Sequence, residues 1–251
     1  AVGTTVTVKG MGFEEDEEDI EVRYYLDGSD YDTMEDDIEA DDDGSWETSF
    51  KIPPSSSGSH KIDAKGDDSS LSEVEDATFE VMPGISISQS SGSAGDTITV
   101  TGSGFADNER DIEILFDSQA VVTDINANEN GAWEKTFKLP EMPKGRYDVT
   151  AEGNDTDKED IRGVSFEVKA GLVLSPTEGH VGTSLTVSGS GFAASKNVVI
   201  KYDASQKATA TTNDQGSFSD LSFPAPKSIH GNHQVTAEDT VGTKVTATFV
   251  M

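Results

Sequence analysis

The strongest constraint on this chain is that it says the same thing three times. Gly3-Thr4-Thr5-Val6-Thr7-Val8-Lys9-Gly10-Met11-Gly12-Phe13 returns as Gly95-Asp96-Thr97-Ile98-Thr99-Val100-Thr101-Gly102-Ser103-Gly104-Phe105, and again as Gly182-Thr183-Ser184-Leu185-Thr186-Val187-Ser188-Gly189-Ser190-Gly191-Phe192. Gly44-Ser45-Trp46 returns as Gly131-Ala132-Trp133 and Gly216-Ser217-Phe218, and Gly58, Gly145 and Gly231 each stand two residues before His60, Tyr147 or His233. The unit is far longer than the ~20–45 residues of a solenoid repeat and close to the ~100 of a small β-sandwich. Three tandem domains follow, at 1–81, 82–170 and 171–251.

Within each unit apolar residues fall at every second position, the mark of strands with one buried face. Val6 and Val8, Ile98 and Val100, and Leu185 and Val187 are one such set; Ile20-Val22-Tyr24, Ile112-Ile114-Phe116 and Val198-Ile200-Tyr202 are the next. Trp46 and Phe50 and their equivalents follow, then a strand-ending Pro53, Pro140 or Pro224, since proline cannot donate to a ladder. Two further strands close each unit, through His60-Ile62-Ala64 and Phe79-Val81 in the first. The expected fold is all-β: three antiparallel immunoglobulin-like sandwiches of about seven strands each. Copies two and three open with a short strand, Ile85–Ile87 and Leu172–Leu174, which copy one lacks at its N-terminus. Both ends of the chain therefore read as cut from a longer polypeptide.

These residues resemble the IPT/TIG-type immunoglobulin-like repeats of prokaryotic cell-surface proteins. The resemblance runs through all three units. It implies the sandwich fold, an extracellular or cell-surface setting, and roles as spacers, adhesin stalks, surface-lattice units or enzyme accessories. It brings no catalytic residues with it.

Composition narrows the chemistry. The chain has no Cys, which removes disulfides, thiol catalysis and cysteine-held metals. Its formal charge of −30 repels phosphate backbones, so nucleic acid is excluded as a partner. No apolar run approaches the ~18–20 residues of a membrane span, so no membrane insertion is expected within this stretch. The charge is uneven: residues 1–81 hold 25 acidic and 5 basic residues, 82–170 hold 17 and 8, and 171–251 hold 6 and 5. Adaptation to salt would acidify all three alike, so the gradient points to something local to the first copy.

Candidate sites divide between chemistry and turn-making. Gly-x-Gly-Phe lies between strands and not before a helix, so it reads as a turn or bulge with a buried Phe, not a phosphate loop. Asp41-Asp42-Asp43-Gly44 resembles the start of a calcium loop, but a twelfth-position carboxylate is missing; the other copies have Asn there, as a turn would. Five extra residues around Asp27-Gly28-Ser29-Asp30-Tyr31-Asp32, and Glu14–Asp19, add two further acidic clusters. Carboxylates this dense call for a hard cation or a basic partner, and oxygen-rich clusters suit calcium. Asp27, Asp30, Asp32, Asp41 and Asp43 are the candidate ligands; the alternative is a solvated loop. His60, Tyr147 and His233 share one position, so a corner or packing role is expected there and not zinc. No serine–histidine–aspartate constellation recurs, so no enzyme is expected and no catalytic residue is assigned.

Only about three residues join consecutive units, at Met82-Pro83-Gly84 and Lys169-Ala170-Gly171. Such links predict a semi-rigid rod on the order of 100 Å long. The expected function is a non-catalytic structural or adhesive segment, with neighbouring domains of a longer polypeptide as its immediate partners. The alternative is an accessory module of an extracellular enzyme that binds glycan or protein. That alternative needs outward-facing aromatics, and only Tyr25 and Tyr31 are free of an obvious core role.

Overall fold

The period-two alternation is realised as strand throughout. A computed structural model describing Ala1–Met251 is all-β, 54% strand, with no α-helix and one 3-10 turn at Lys158–Asp160. It divides into two compact units. The first consists of Ala1–Ser86, Val100–Lys135 and Thr150–Gly163; the second of Ile87–Thr99, Thr136–Val149 and Val164–Met251. The first repeat lies whole in one unit and the third whole in the other, while the middle repeat contributes to both.

In the first repeat the strands are β1 (Thr5–Met11), β2 (Ile20–Asp27), β3 (Asp30–Ile38), β4 (Ser45–Lys51), β5 (Gly58–Lys65) and β6 (Ala77–Val81). β1 and β4 form a two-stranded antiparallel sheet, and the other four are ordered β3-β2-β5-β6. Val6, Val8, Trp46 and Phe50 on one sheet share a core with Ile20, Val22, Tyr24, Ile62 and Ala64 on the other. That is an immunoglobulin-like sandwich.

The middle repeat has β7 (Gly84–Ile87), β8 (Ser91–Gly92), β9 (Thr97–Ser103), β10 (Ile112–Phe116), β11 (Gln119–Ile125), β12 (Trp133–Lys138), β13 (Gly145–Glu152) and β14 (Val164–Val168). Its sheets run β12-β9-β7 and β11-β10-β13-β14-β8. The third has β15 (Gly171–Ser175), β16 (Ser184–Ser190), β17 (Asn197–Tyr202), β18 (Ser205–Thr211), β19 (Phe218–Pro224), β20 (Asn232–Asp239) and β21 (Lys244–Val250), in sheets β15-β16-β19 and β18-β17-β20-β21. Its core joins Leu174, Leu185, Val187 and Phe223 to Val198, Ile200, Tyr202, Val235 and Phe249.

The repeated residues are spent on holding this fold. Gly12, Gly104 and Gly191 turn at positive φ, and Phe13, Phe105 and Phe192 after them are buried. The Trp of the first two copies packs edge-on against that Phe, Trp46 on Phe13 at 5.6 Å and Trp133 on Phe105 at 5.3 Å between centroids. The corner position is built alike in all three. The Tyr147 hydroxyl donates to the Pro143 carbonyl at 2.7 Å, and His60 Nε2 and His233 Nε2 lie 2.9 and 2.8 Å from the carbonyls of Ser56 and Ile229. In each case the acceptor is four residues upstream, which is why a Tyr and a His can exchange there.

Candidate functional site

The acidic clusters of the first repeat resolve into strands and turns. The five extra residues lengthen a hairpin: β2 and β3 have 8 and 9 residues where β10 and β11 have 5 and 7. Asp27 pairs with Asp30 across the turn, and Asp32 stands opposite Tyr24. Asp41 serves its own loop, its Oδ1 accepting from the N–H groups of Asp43 (3.0 Å) and Ser45 (2.8 Å). Asn128 and Asn213 make the same pair of bonds. This Asx turn needs an acceptor and no charge. Asp27, Asp30, Asp32, Asp41 and Asp43 are all exposed, and nowhere do three acidic or histidine side chains come together as a metal would require.

Within Glu14–Asp19 the structure reveals a role that the charge run conceals. Glu17 is buried, 3% exposed. Its Oε1 accepts from the N–H groups of Asp68 (3.0 Å) and Ser69 (2.7 Å), and its Oε2 from the Glu14 N–H (3.0 Å) and the Ser69 hydroxyl (2.8 Å). Burial pushes this carboxyl up, but the Glu14 N–H, the Ser69 hydroxyl and N–H and the Asp68 N–H together hold it below the usual range. Glu109 repeats the arrangement with Asp155, Thr156 and Ala106. In the third copy the matching N–H, of Ala193, bonds instead to Asp239 on β20, whose other oxygen takes the N–H groups of Val241 and Thr243. The signal in the sequence was a Glu four residues after the Phe in two copies, hidden in the first by five acidic neighbours. The Thr156 hydroxyl donates to Glu109 Oε2 at 2.7 Å, as the Ser69 hydroxyl does to Glu17.

What distinguishes the first repeat is the outer face of its four-stranded sheet. Ile20, Val22 and Tyr24 point into the core, so alternation turns Glu21, Arg23 and Tyr25 outward. Arg23 Nη2 donates to Glu21 Oε2 at 2.8 Å, and its guanidinium lies over the Tyr31 ring at 4.5 Å. Thr33 donates to Glu21 Oε1 at 2.7 Å, and Lys65 lies 3.4 Å from the same carboxylate. Chiefly because of the Arg23 hydrogen bond, the Glu21 carboxyl is lowered to about 2, while Glu21 holds Arg23 still more firmly protonated. One strand over, Lys61 bridges Asp63 (2.8 Å) and Asp76 (3.6 Å) and sits 4.0 Å from the Tyr25 ring centre. Tyr25 and Tyr31 are cross-strand partners with ring centres 5.4 Å apart, and Tyr31 is 40% exposed. Two tyrosines, each backed by a cation, thus stand on one face of one sheet. The third copy has Lys201 and Glu238 paired at 2.9 Å on its β17 and β20.

Residues 82–165 match the family model described as the IPT/TIG domain. None of the curated proteins matches the chain. Among solved structures it is similar to the SGBP-B of a Bacteroides ovatus mixed-linkage glucan utilization locus, in complex with a mixed-linkage heptasaccharide: 14% identity, 92% of this chain and 60% of that one covered, TM-score 0.33. It is also similar to dimeric latent PorU of Porphyromonas gingivalis (14%, 99% and 31% covered, TM-score 0.27) and to InvD of Yersinia pseudotuberculosis (10%, 100% and 87% covered, TM-score 0.28). The chain spans less than two thirds of the first two, and at such scores none of the three bears on ligand or partner. The resemblance read from the glycine-rich blocks is met over residues 82–165, in the middle repeat, which match the IPT/TIG domain model.

Proposed function

We propose that the chain is a non-catalytic structural or adhesive segment of a secreted or surface-anchored prokaryotic protein, built of three immunoglobulin-like domains at 1–81, 82–170 and 171–251. The observation that carries this reading is where the repeated residues go. The turn glycines, the Asx acceptors, the corner rings and the buried carboxylates hold loops and cores, and they are the features the copies share. What the copies share is therefore architecture, as in a spacer, a stalk or a lattice unit. The test is where the segment sits. Antibodies raised against it should label intact cells of the source organism as strongly as permeabilised ones; labelling only after permeabilisation would overturn the proposal.

A second reading rests on the Tyr25–Tyr31 face. Aromatic rings backed by Arg23 and Lys61 are what a glycan- or protein-binding face offers. A glycan array and a pull-down with the intact chain, each compared with Tyr31→Ala, separate the two. Saturable binding abolished in the variant favours recognition, and its absence favours the structural role.

A further inference from the structure

Basic side chains are scarce in this chain, 18 against 48 acidic ones, yet four of them meet at one place. Lys144 lies just ahead of β13, Arg146 on β13, Lys169 just after β14 and Lys244 at the start of β21. They line one groove of about 520 Å³ in which Glu167 is the only acid. All four are exposed, and none is in an ion pair. Glu167 stands opposite Arg146 in register, and Glu238, opposite Lys244, is already bonded to Lys201 at 2.9 Å. The groove is a positive surface on a chain of formal charge −30. Its parts are held in place. The Lys169 N–H donates to the Gly92 carbonyl at 2.7 Å, and its Nζ to the Ser91 hydroxyl at 2.8 Å. The turn ahead of Lys244 is fixed by the buried Asp239, whose Oδ1 accepts from the N–H groups of Val241 (3.0 Å) and Thr243 (2.7 Å). Groups already ordered in this way lose less freedom on binding.

The opposite surface is on the first repeat. β3 is an edge strand of its sheet, and it carries Asp30, Asp32, Asp36 and Asp37 exposed, with no base on the strand and no ion pair to any of the four. The edge strands at the same place in the other copies are different. β11 carries Asp124 as its only charged residue, and β18 carries Lys207 as its only one. A single charge is enough to guard those edges. The row of acids on β3 is thus an addition peculiar to the first copy.

We propose that the basic groove receives β3 of a second copy of this chain, so that copies associate head to tail through unlike surfaces. Four exposed acids on one nine-residue strand match four bases in one groove. A long polyanion matches less well, since beyond the groove it meets a chain of formal charge −30. At 0.15 M salt the Debye length of ~8 Å confines the remaining like-charge repulsion between copies to close approach. Because the two surfaces differ, each pairing leaves one of either kind free. Association therefore continues along an open chain unless its rotation closes a ring. The proposal goes beyond the structural role given above and does not depend on where on the cell the segment sits.

The test is sedimentation velocity of the full 251-residue chain over a range of concentrations. In 0.15 M NaCl the weight-average sedimentation coefficient should climb with concentration. In 1 M NaCl, where the Debye length is ~3 Å, it should stay at the monomer value. Two double variants each remove one surface: Arg146→Gln with Lys244→Gln, and Asp32→Asn with Asp36→Asn. All four positions are exposed, so neither pair disturbs a core. Each variant alone should stay monomeric where the unaltered chain associates. The first makes the chain more acidic and the second less so, so a loss in both cannot come from net charge. Mixed, they should form one-to-one dimers and nothing larger, because each supplies the surface the other lacks. Three results overturn the proposal: a monomer at every concentration in 0.15 M NaCl, association that survives either double variant, or a mixture that stays monomeric. Saturable binding of dextran sulfate through Arg146 and Lys244, with no self-association of the unaltered chain, equally rejects a second copy in favour of an anionic polymer.

Discussion

Gly102 lies under the Trp133 indole, as Gly10 lies under Trp46, and a Cβ at either place would overlap the ring. The glycine is required for close approach. Gly102→Ala must displace a side chain that is 5% exposed, at a cost of about 1–3 kcal/mol for an overpacked core. Equilibrium unfolding followed by tryptophan emission should show both a lower midpoint and a red-shifted native spectrum. At the corner of the third repeat, the protonated His233 ring donates to Asp203 (2.9 Å) and to the Ile229 carbonyl while stacking on Tyr202 at 5.0 Å. The Asp203 hydrogen bond, seconded by Ile229, raises the His233 pKa above its ordinary 6.5. A pKa raised by folding stabilises fully below the unfolded value and ceases to do so as pH climbs through the folded one. Amide exchange in β20 should therefore quicken between pH 6 and pH 8.5 beyond the chemical rate, and Asp203→Asn should flatten that dependence.

The β2–β3 hairpin carries the clearest electrostatic consequence at the level of an element. Glu21 titrates near 2 in the folded chain against 4.5 for the free side chain, so its contribution is complete above 4.5 and lost as pH falls toward 2. That shift bounds the contribution at roughly 3 kcal/mol. Glu21→Gln should lower the melting temperature of the first repeat at pH 6 and leave it nearly unchanged near pH 2, in a Trp133→Phe chain followed by Trp46 emission. The same element shows where reading the sequence stopped. Val6, Val8, Ile20, Val22 and Tyr24 alternate cleanly because one face must be dry, so the sandwich was legible from them alone. β3 was not legible: Asp30-Tyr31-Asp32-Thr33-Met34-Glu35-Asp36-Asp37 has no apolar alternation and forms a strand only because β2 offers it a ladder. Glu17 was hidden for a related reason, since whether a carboxylate is solvated or caps a loop depends on N–H groups some fifty residues away, at Asp68 and Ser69. Tyr25 and Tyr31 could be singled out as unassigned, but the cations behind them come from alternate positions of β2 and β5 that only strand register brings together.

Charge is a property of the whole molecule, and it is distributed so that the three repeats are unequal under one solvent. A compact body with 25 acidic and 5 basic residues repels itself, whereas one with 6 and 5 does not. Screening relieves that repulsion as the Debye length falls from ~30 Å at 0.01 M to ~10 Å at 0.1 M salt and ~3 Å at 1 M. Raising NaCl from 10 mM to 0.5 M should therefore stabilise the first repeat most and the third least, with the middle repeat between them. The two tryptophans make the comparison direct: Trp133→Phe leaves the first repeat as the fluorescent one, Trp46→Phe leaves the middle one, and β20 amide exchange reports the third. Divalent ions then separate general screening from coordination. Because Asp41 serves a turn that Asn128 and Asn213 serve equally, and Asp27, Asp30, Asp32 and Asp43 are exposed and form no cluster, calcium and magnesium at equal ionic strength should shift the first repeat equally. A calcium effect larger than magnesium's, lost in Asp41→Asn, would instead place a coordinating site on the hairpin and its neighbouring turn.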